Sequence, residues 1–305
     1  MARSLMRMIS CASVVTMLLV AGCGTDGRVP DSTPSEGPKN WPQSFGEFRF
    51  RWTGEPGIDL TTGWAVPLRA YLESWLLTFY TDDTRSVYPG FDRATPPLIK
   101  EGTPEWTATP YAQRSIGGYR GSSPVPHDSV TMGNEQLHIL GLESMPGGFR
   151  ALVCESQFAV YTTVPDSSVY RPVSIEHAKN VEQADFNNML VWRIEFTDRH
   201  PSADGAPASP NEPQEGPLPA PTEDVFGPWF VTGAGLVGTW SNADHPGLAP
   251  DEAKQRFLEA GEEEDRLRQQ CLDWLGIPPD ERLRLATTEL DFPPAAEPAA
   301  PGWPG

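Results

Sequence analysis

Thirty-three prolines are distributed so unevenly along this 305-residue chain that they decide where regular structure can form. Proline fixes φ and donates no backbone hydrogen bond, so it interrupts helix interiors and central strands. Pro30, Pro34, Pro38 and Pro42 punctuate residues 24–44, seven prolines fall within 201–224, and five lie in the last thirteen residues, 293–305. These segments are expected to be a flexible tether, a proline-rich linker or loop, and a disordered tail. Helices and strands are thereby confined to an α+β domain over 45–200 and a C-terminal helical segment over 225–292. With 38% hydrophobic and 10% aromatic content, such segments can bury a sizeable core.

At the N-terminus, Arg3 and Arg7 precede a 13-residue apolar run, Met8–Val20. A membrane-spanning helix needs about 20 residues to cross roughly 30 Å of hydrocarbon, so this run reads as a removable signal sequence. Val20-Ala21-Gly22-Cys23 follows at once and resembles the lipobox of bacterial lipoproteins, in which a small pair precedes a cysteine. The resemblance covers about the first 23 residues. It implies a signal peptide at 1–22, cleavage before Cys23, a diacylglycerol on the Cys23 thiol and an anchor on the outer face of the cytoplasmic membrane. Gly24, Thr25, Asp26 and Gly27 suit a chain leaving a bilayer, and no Ala-x-Ala site offers another cleavage point. Two or more acyl chains hold stably where one is marginal. Cys11 falls inside the removed segment. The Ala, Pro and Gly bias fits a high-GC genome such as those of actinobacteria.

Forty-one acidic against 23 basic residues give a net charge of −18, and loss of Arg3 and Arg7 with the signal peptide leaves −20 on the mature chain. A body of that sign repels phosphate backbones, which argues against nucleic acid as a partner. Anionic headgroups repel it too within a Debye length of roughly 8 Å. The tether, extended at about 3.1 Å per residue, reaches about 60 Å and holds the body clear.

Trp64, Leu68, Tyr71, Leu72, Trp75, Leu76 and Phe79 recur at steps of three and four, the stripe of a helix packed on a core. Pro67 fits only its first turn, Thr61 or Thr62 is placed to cap it, and Asp82-Asp83 with Tyr88-Pro89-Gly90 ends it. Gln136–Glu143 reads as a strand, 145–148 as a glycine turn and Phe149–Thr162 as the partner strand. In 190–197, Leu190, Trp192, Ile194 and Phe196 alternate with a more polar set, giving a third antiparallel strand. The expected fold is a long N-terminal helix packed on a curved antiparallel sheet, plus a C-terminal helix. Over residues 65–199 this element order resembles the nuclear transport factor two-like (SnoaL-like) cone. The C-terminal helix opens at Pro250-Asp251 and runs to about Leu275, stopped by Gly276 and Pro278. Phe257, Leu267, Cys271 and Trp274 define its apolar side, and Glu259, Glu262, Glu263, Glu264 and Asp265 a solvated face without calcium-loop spacing.

Cys154 and Cys271 are the two remaining cysteines, and export places them in an oxidising compartment, so a disulfide is expected. Closing so long a loop removes about 4–5 kcal/mol of unfolded-chain entropy in the chain-entropy model. Gly233-Ala234-Gly235-Leu236-Val237-Gly238 matches a dinucleotide fingerprint in letters, but Pro246, Gly247 and Pro250 exclude the helix that must follow. No nucleotide cofactor is expected. The five histidines at 127, 138, 177, 200 and 245 show no metal-ligand spacing, and no hydrolase signature is present. His138 is the one candidate for general-base work, with Glu195 or Glu143 as partner and Tyr161 and Trp192 sharing its pocket. The leading functional reading is a non-catalytic binding domain displayed outside the membrane, taking another envelope protein or a hydrophobic small molecule. The alternatives are a cone-fold isomerase or hydrolase using His138 and a structural spacer. The lipobox predicts that Cys23→Ala releases the protein from the membrane fraction or blocks its processing; unchanged membrane association would refute the anchor.

Overall fold

The computed structural model describes residues 41–114, 116–119, 125, 129–164, 167–174, 178–242 and 247–305. The signal peptide, Cys23, the tether up to residue 40, and His127, His177 and His245 lie outside the described residues. The elements in chain order are β1 (Phe48–Gly54), α1 (Ala65–Thr81) and three short turns, α2 (Phe91–Ala94), α3 (Pro104–Ala108) and α4 (Tyr111–Arg114). There follow β2 (Thr131–Met145), β3 (Gly148–Ser156), β4 (Val160–Thr163), β5 (Tyr170–Pro172), α5 (Val181–Asn188) and β6 (Met189–Thr197). β7 (Phe230–Leu236), α6 (Pro250–Leu275) and α7 (Pro279–Thr287) complete the fold. It is α+β, with a curled half-barrel of antiparallel strands, as the sequence pattern leads one to expect.

β2 is the spine of the sheet. The β2–β3 hairpin turns at Met145–Gly148, where Gly147 takes φ +79°, a conformation that costs glycine little. After an interruption at 157–159, β4 resumes the antiparallel pairing with β2, from Gly133↔Val160 to Thr131↔Thr162. β6 pairs along β3 and β7 along β6, while β5 pairs with β4. β1 lies parallel on the opposite edge of β2, Phe48↔Gly133 to Gly54↔Ile139. The sequence reading did not assign β1, although Phe48, Phe50 and Trp52 alternate with Arg49, Arg51 and Thr53 and the three aromatics are buried.

The concave face holds α1. Trp64 stacks on Phe149, Tyr71 meets Phe196 edge-on and Trp75 contacts Trp192 at 4.7 Å. The helix is buried nearly all round, because its far side is covered as well. Thr61 and Thr62 do not cap it: both hydroxyls bind Asp59 in the preceding turn. The convex face is also covered. Cys154, Met189 and Val191 pack beneath Leu267, Cys271 and Leu272 of α6, and Cys154–Cys271 form the expected disulfide, with Cα atoms 5.6 Å apart. The polar side of β6 therefore starts only at Arg193, since Val191 is sealed under α6. On α6 itself Phe257 is 65% exposed, away from the apolar side assigned to it. Glu264 turns inward instead, accepting the Gly238 N–H at 2.6 Å and pairing with Arg268.

The linker and the tail are not loose. Residues 201–224, which open on a 3-10 turn at Pro201–Ala203, and 293–305 have little regular structure but are fixed to the body at spaced points. The Gln214 N–H donates to the Thr61 carbonyl at 2.7 Å, Leu218 and Trp303 exchange backbone hydrogen bonds, and Ala300 bridges Arg51. Asn134 holds the Glu297 backbone through both its N–H and its carbonyl. At the centre, Arg69 donates to the carbonyls of Leu60, Gln214, Pro301 and Gly302 at 2.7–3.1 Å. Glu73 accepts from Trp52, Tyr88 and Trp303 at 2.7–2.9 Å. Proline abundance removes ladder donors but does not forbid docking, and here the order comes from side chains distant in sequence. Nor is 225–292 simply helical, since β7 extends the sheet. Gly233 and Gly235 lie in that strand, and the Trp240 ring packs where a Cβ on Gly233 would fall.

Trp303 is 1% exposed, and a Trp303→Ala variant is expected to lose about 3–5 kcal/mol of unfolding free energy in urea titrations. A loss below about 1 kcal/mol would mean that the C-terminal segment is dispensable.

Candidate functional site

The three residues expected to share a pocket lie in different places. His138 is on the convex side of β2, its ring stacked on Trp274 of α6 at 4.6 Å. Its Nδ1 lies 2.8 Å from the Thr53 hydroxyl and its Nε2 3.4 Å from the Glu55 carboxylate. Burial lowers its pKa, with Glu55 opposing. Neither expected carboxylate partners it: Glu195 binds Arg150 and Arg193, and Glu143 faces Arg150 at 3.7 Å. The Tyr161 hydroxyl donates to the Leu285 carbonyl of α7 at 3.4 Å. Trp192 alone faces the concave side. Strand parity says which residues share a face, but with both faces buried it does not say which face holds the pocket.

Trp192 leads to the site the fold does build. Between α1 and the concave sheet lies a cavity of about 450 Å³, within the range of small-molecule pockets. α1 supplies Trp75, Leu76 and Phe79, β6 supplies Leu190 and Trp192, and Val173 and Leu236 close the sides. Glu155, Gln157 and Asn187 are its polar lining residues. The mouth is framed by Phe186, 62% exposed, which together with Leu236 is shared with a neighbouring cavity of about 710 Å³ beneath α6.

The floor is chemically unusual. Glu135 of β2 and Glu155 of β3 are both fully buried among apolar residues on the concave face. Glu155 accepts from the Trp192 indole and, at 2.6 Å, from Gln157 Nε2. Neither oxygen of Glu135 has a hydrogen bond of good geometry; its polar neighbours are Glu155, Tyr80 and Gln157. Burial, then the adjacent Glu155 charge, pushes Glu135 well above the usual carboxylate range. Burial raises Glu155 too, against hydrogen bonds from Glu135, Trp192 and Gln157. Two adjoining buried carboxyls without a cation between them hold a proton jointly. The sequence reading missed this pair. Its signal was parity: Glu135 sits two residues from Leu137 and Glu155 two from Val153, each an acid on an apolar strand face.

Among the described residues no group of three or more His, Cys, Asp and Glu is placed to hold a metal ion. Comparison with protein-family models, with curated proteins and with solved structures returned no match.

Glu135 binds its proton more tightly folded than unfolded, so its contribution lowers stability as pH rises above the unfolded value near 4.5. Glu135→Gln, which keeps the shape and a donor toward Glu155, is therefore expected to be more stable than the native chain at pH 8. The advantage should shrink toward pH 4.5 in thermal melts. A constant difference across that range would assign no proton to Glu135.

Proposed function

We propose that this protein is a lipid-anchored envelope protein whose domain binds an apolar small molecule in the concave pocket without transforming it. The observation that carries the reading is the cavity of about 450 Å³, walled by Trp75, Phe79, Leu190 and Trp192 and floored by Glu155 and Gln157. Large apolar walls with few fixed polar groups are what a ligand pocket requires. A helix lying in the mouth of a curled sheet is also the element order of the nuclear transport factor two-like cones, which supports reading the concave face as the binding face. The lipobox at Val20–Cys23 supports display outside the cytoplasmic membrane with Cys23 as anchor. Among the described residues no helix is long and apolar enough to cross a membrane.

The catalytic alternative loses its support at His138, whose ring is held between Trp274, Thr53 and Glu55 on the face opposite the pocket. A plain spacer has no use for such a cavity, nor for Tyr111, Phe186 and Phe257, which stand exposed around the adjoining one.

Leu190→Trp adds bulk to the pocket wall. The native protein is expected to bind the neutral probe 1-N-phenylnaphthylamine saturably, and the variant to bind it at least about tenfold more weakly with an unchanged melting temperature. No saturable binding to the native chain, or equal binding to the variant, would overturn the reading.

A further inference from the structure

The pocket's charge balance points to a ligand class. Among the described residues, each lining residue is apolar, aromatic, an amide or the acid Glu155, with no lysine, arginine or histidine. An anionic ligand such as a fatty acid would meet no counter-charge there and would face Glu155 with its headgroup or leave that headgroup in water. The adjoining cavity is lined by two arginines, Arg268, committed to Glu264, Asp265 and the Met189 carbonyl, and Arg114, which donates to the Thr107 and Thr109 carbonyls.

Resting on the pocket reading above, we infer that the ligand is a monocation, an amine or quaternary ammonium group carried on an apolar body. Two features of the site meet that chemistry. Trp75, Phe79 and Trp192 form one contiguous aromatic wall, with Trp75 and Phe79 stacked at 5.9 Å and Trp75 against Trp192 at 4.7 Å. Ring faces attract cations most strongly where water is excluded. Behind that wall stands the Glu135–Glu155 pair, fully buried, with no basic side chain among the described lining residues. Glu155 lies just beneath the pocket surface, closed to solvent by its neighbours, so it acts on a ligand through its field rather than by direct pairing. In a low-dielectric site that field reaches across several ångströms. The buried acids lack a positive partner, and a cation seated against the tryptophans supplies one.

The test compares three probes of similar size by calorimetry, using the full chain in phosphatidylcholine nanodiscs with empty nanodiscs as blank. The probes are benzyltrimethylammonium, its uncharged carbon isostere neopentylbenzene, and the anion phenylacetate. The expected ranking places the cation about tenfold or more above both others. Glu155→Gln should bring the affinities of the cation and the isostere within about a factor of two of each other. The native ranking carries the test even where that variant fails to fold. An isostere or an anion that binds as tightly as the cation overturns the ligand class and leaves the pocket standing. Failure of every probe to saturate overturns the pocket reading with it.

Discussion

The fold depends on one helical turn in which Arg69 and Glu73 are buried together. Their closest approach is 4.0 Å, so they act less as an ion pair than as two hubs back to back. Arg69 collects four carbonyls from three segments distant in sequence, and its guanidinium also lies 4.2 Å over the Trp303 ring. Glu73 collects the indoles of Trp52 and Trp303 and the Tyr88 hydroxyl. An isolated charge buried at this depth is very costly, and each is tolerated because most of its hydrogen-bonding capacity is used, the Arg69 Nε alone lacking a hydrogen bond. Burial still raises the pKa of Glu73, with Arg69 and the three donors opposing. The consequence is topological: the first strand, the segment before the helix, the proline-rich stretch and the last residues of the chain converge on α1.

With its far side fastened in this way, α1 presents the opposite side to the concave sheet and fixes the distance between them. Where large aromatics meet, as at Trp64 on Phe149, the gap is filled; beside the wall of Trp75, Phe79 and Trp192 it remains open as the pocket. The convex face is closed independently by α6, stapled through Cys154–Cys271 to the strand that also carries Glu155. Cys154 and Glu155 are neighbours in β3 and point to opposite faces, so the residue that anchors the outer helix directly precedes the one that floors the pocket.

Much of this was legible in local pattern. The α1 stripe, the β2–β3 hairpin, the alternation in β6 and the limits of α6 at Pro250 and Gly276 follow from periodicity and from where proline and glycine are tolerated. The disulfide followed from cysteine count and expected export. The candidate site was less visible. His138 drew attention because imidazole titrates near neutrality, yet a strand histidine is equally suited to stacking under a tryptophan, and Trp274 lies 136 residues away. Glu135 and Glu155 looked like ordinary polar strand residues until pairing placed them side by side on an apolar face. Phe257 was misplaced because α6 packs on the sheet only through its C-terminal half, a limit that helical period does not reveal.

By itself the sequence determined the secondary structure of its periodic segments, the positions where chain direction must change and the acidic character of the body, because each is set by neighbouring residues or by composition. Tertiary structure alone decided that the proline-rich stretches 201–224 and 293–305 are ordered, that β1 joins the sheet in parallel, and that two acids share a buried floor. Those outcomes depend on hydrogen bonds and burial between residues some 20 to 230 positions apart, as in Glu135 with Glu155 and Glu73 with Trp303. No local pattern encodes which distant donor an acid will find, and here that pairing sets both the path of the chain and the chemistry of its pocket.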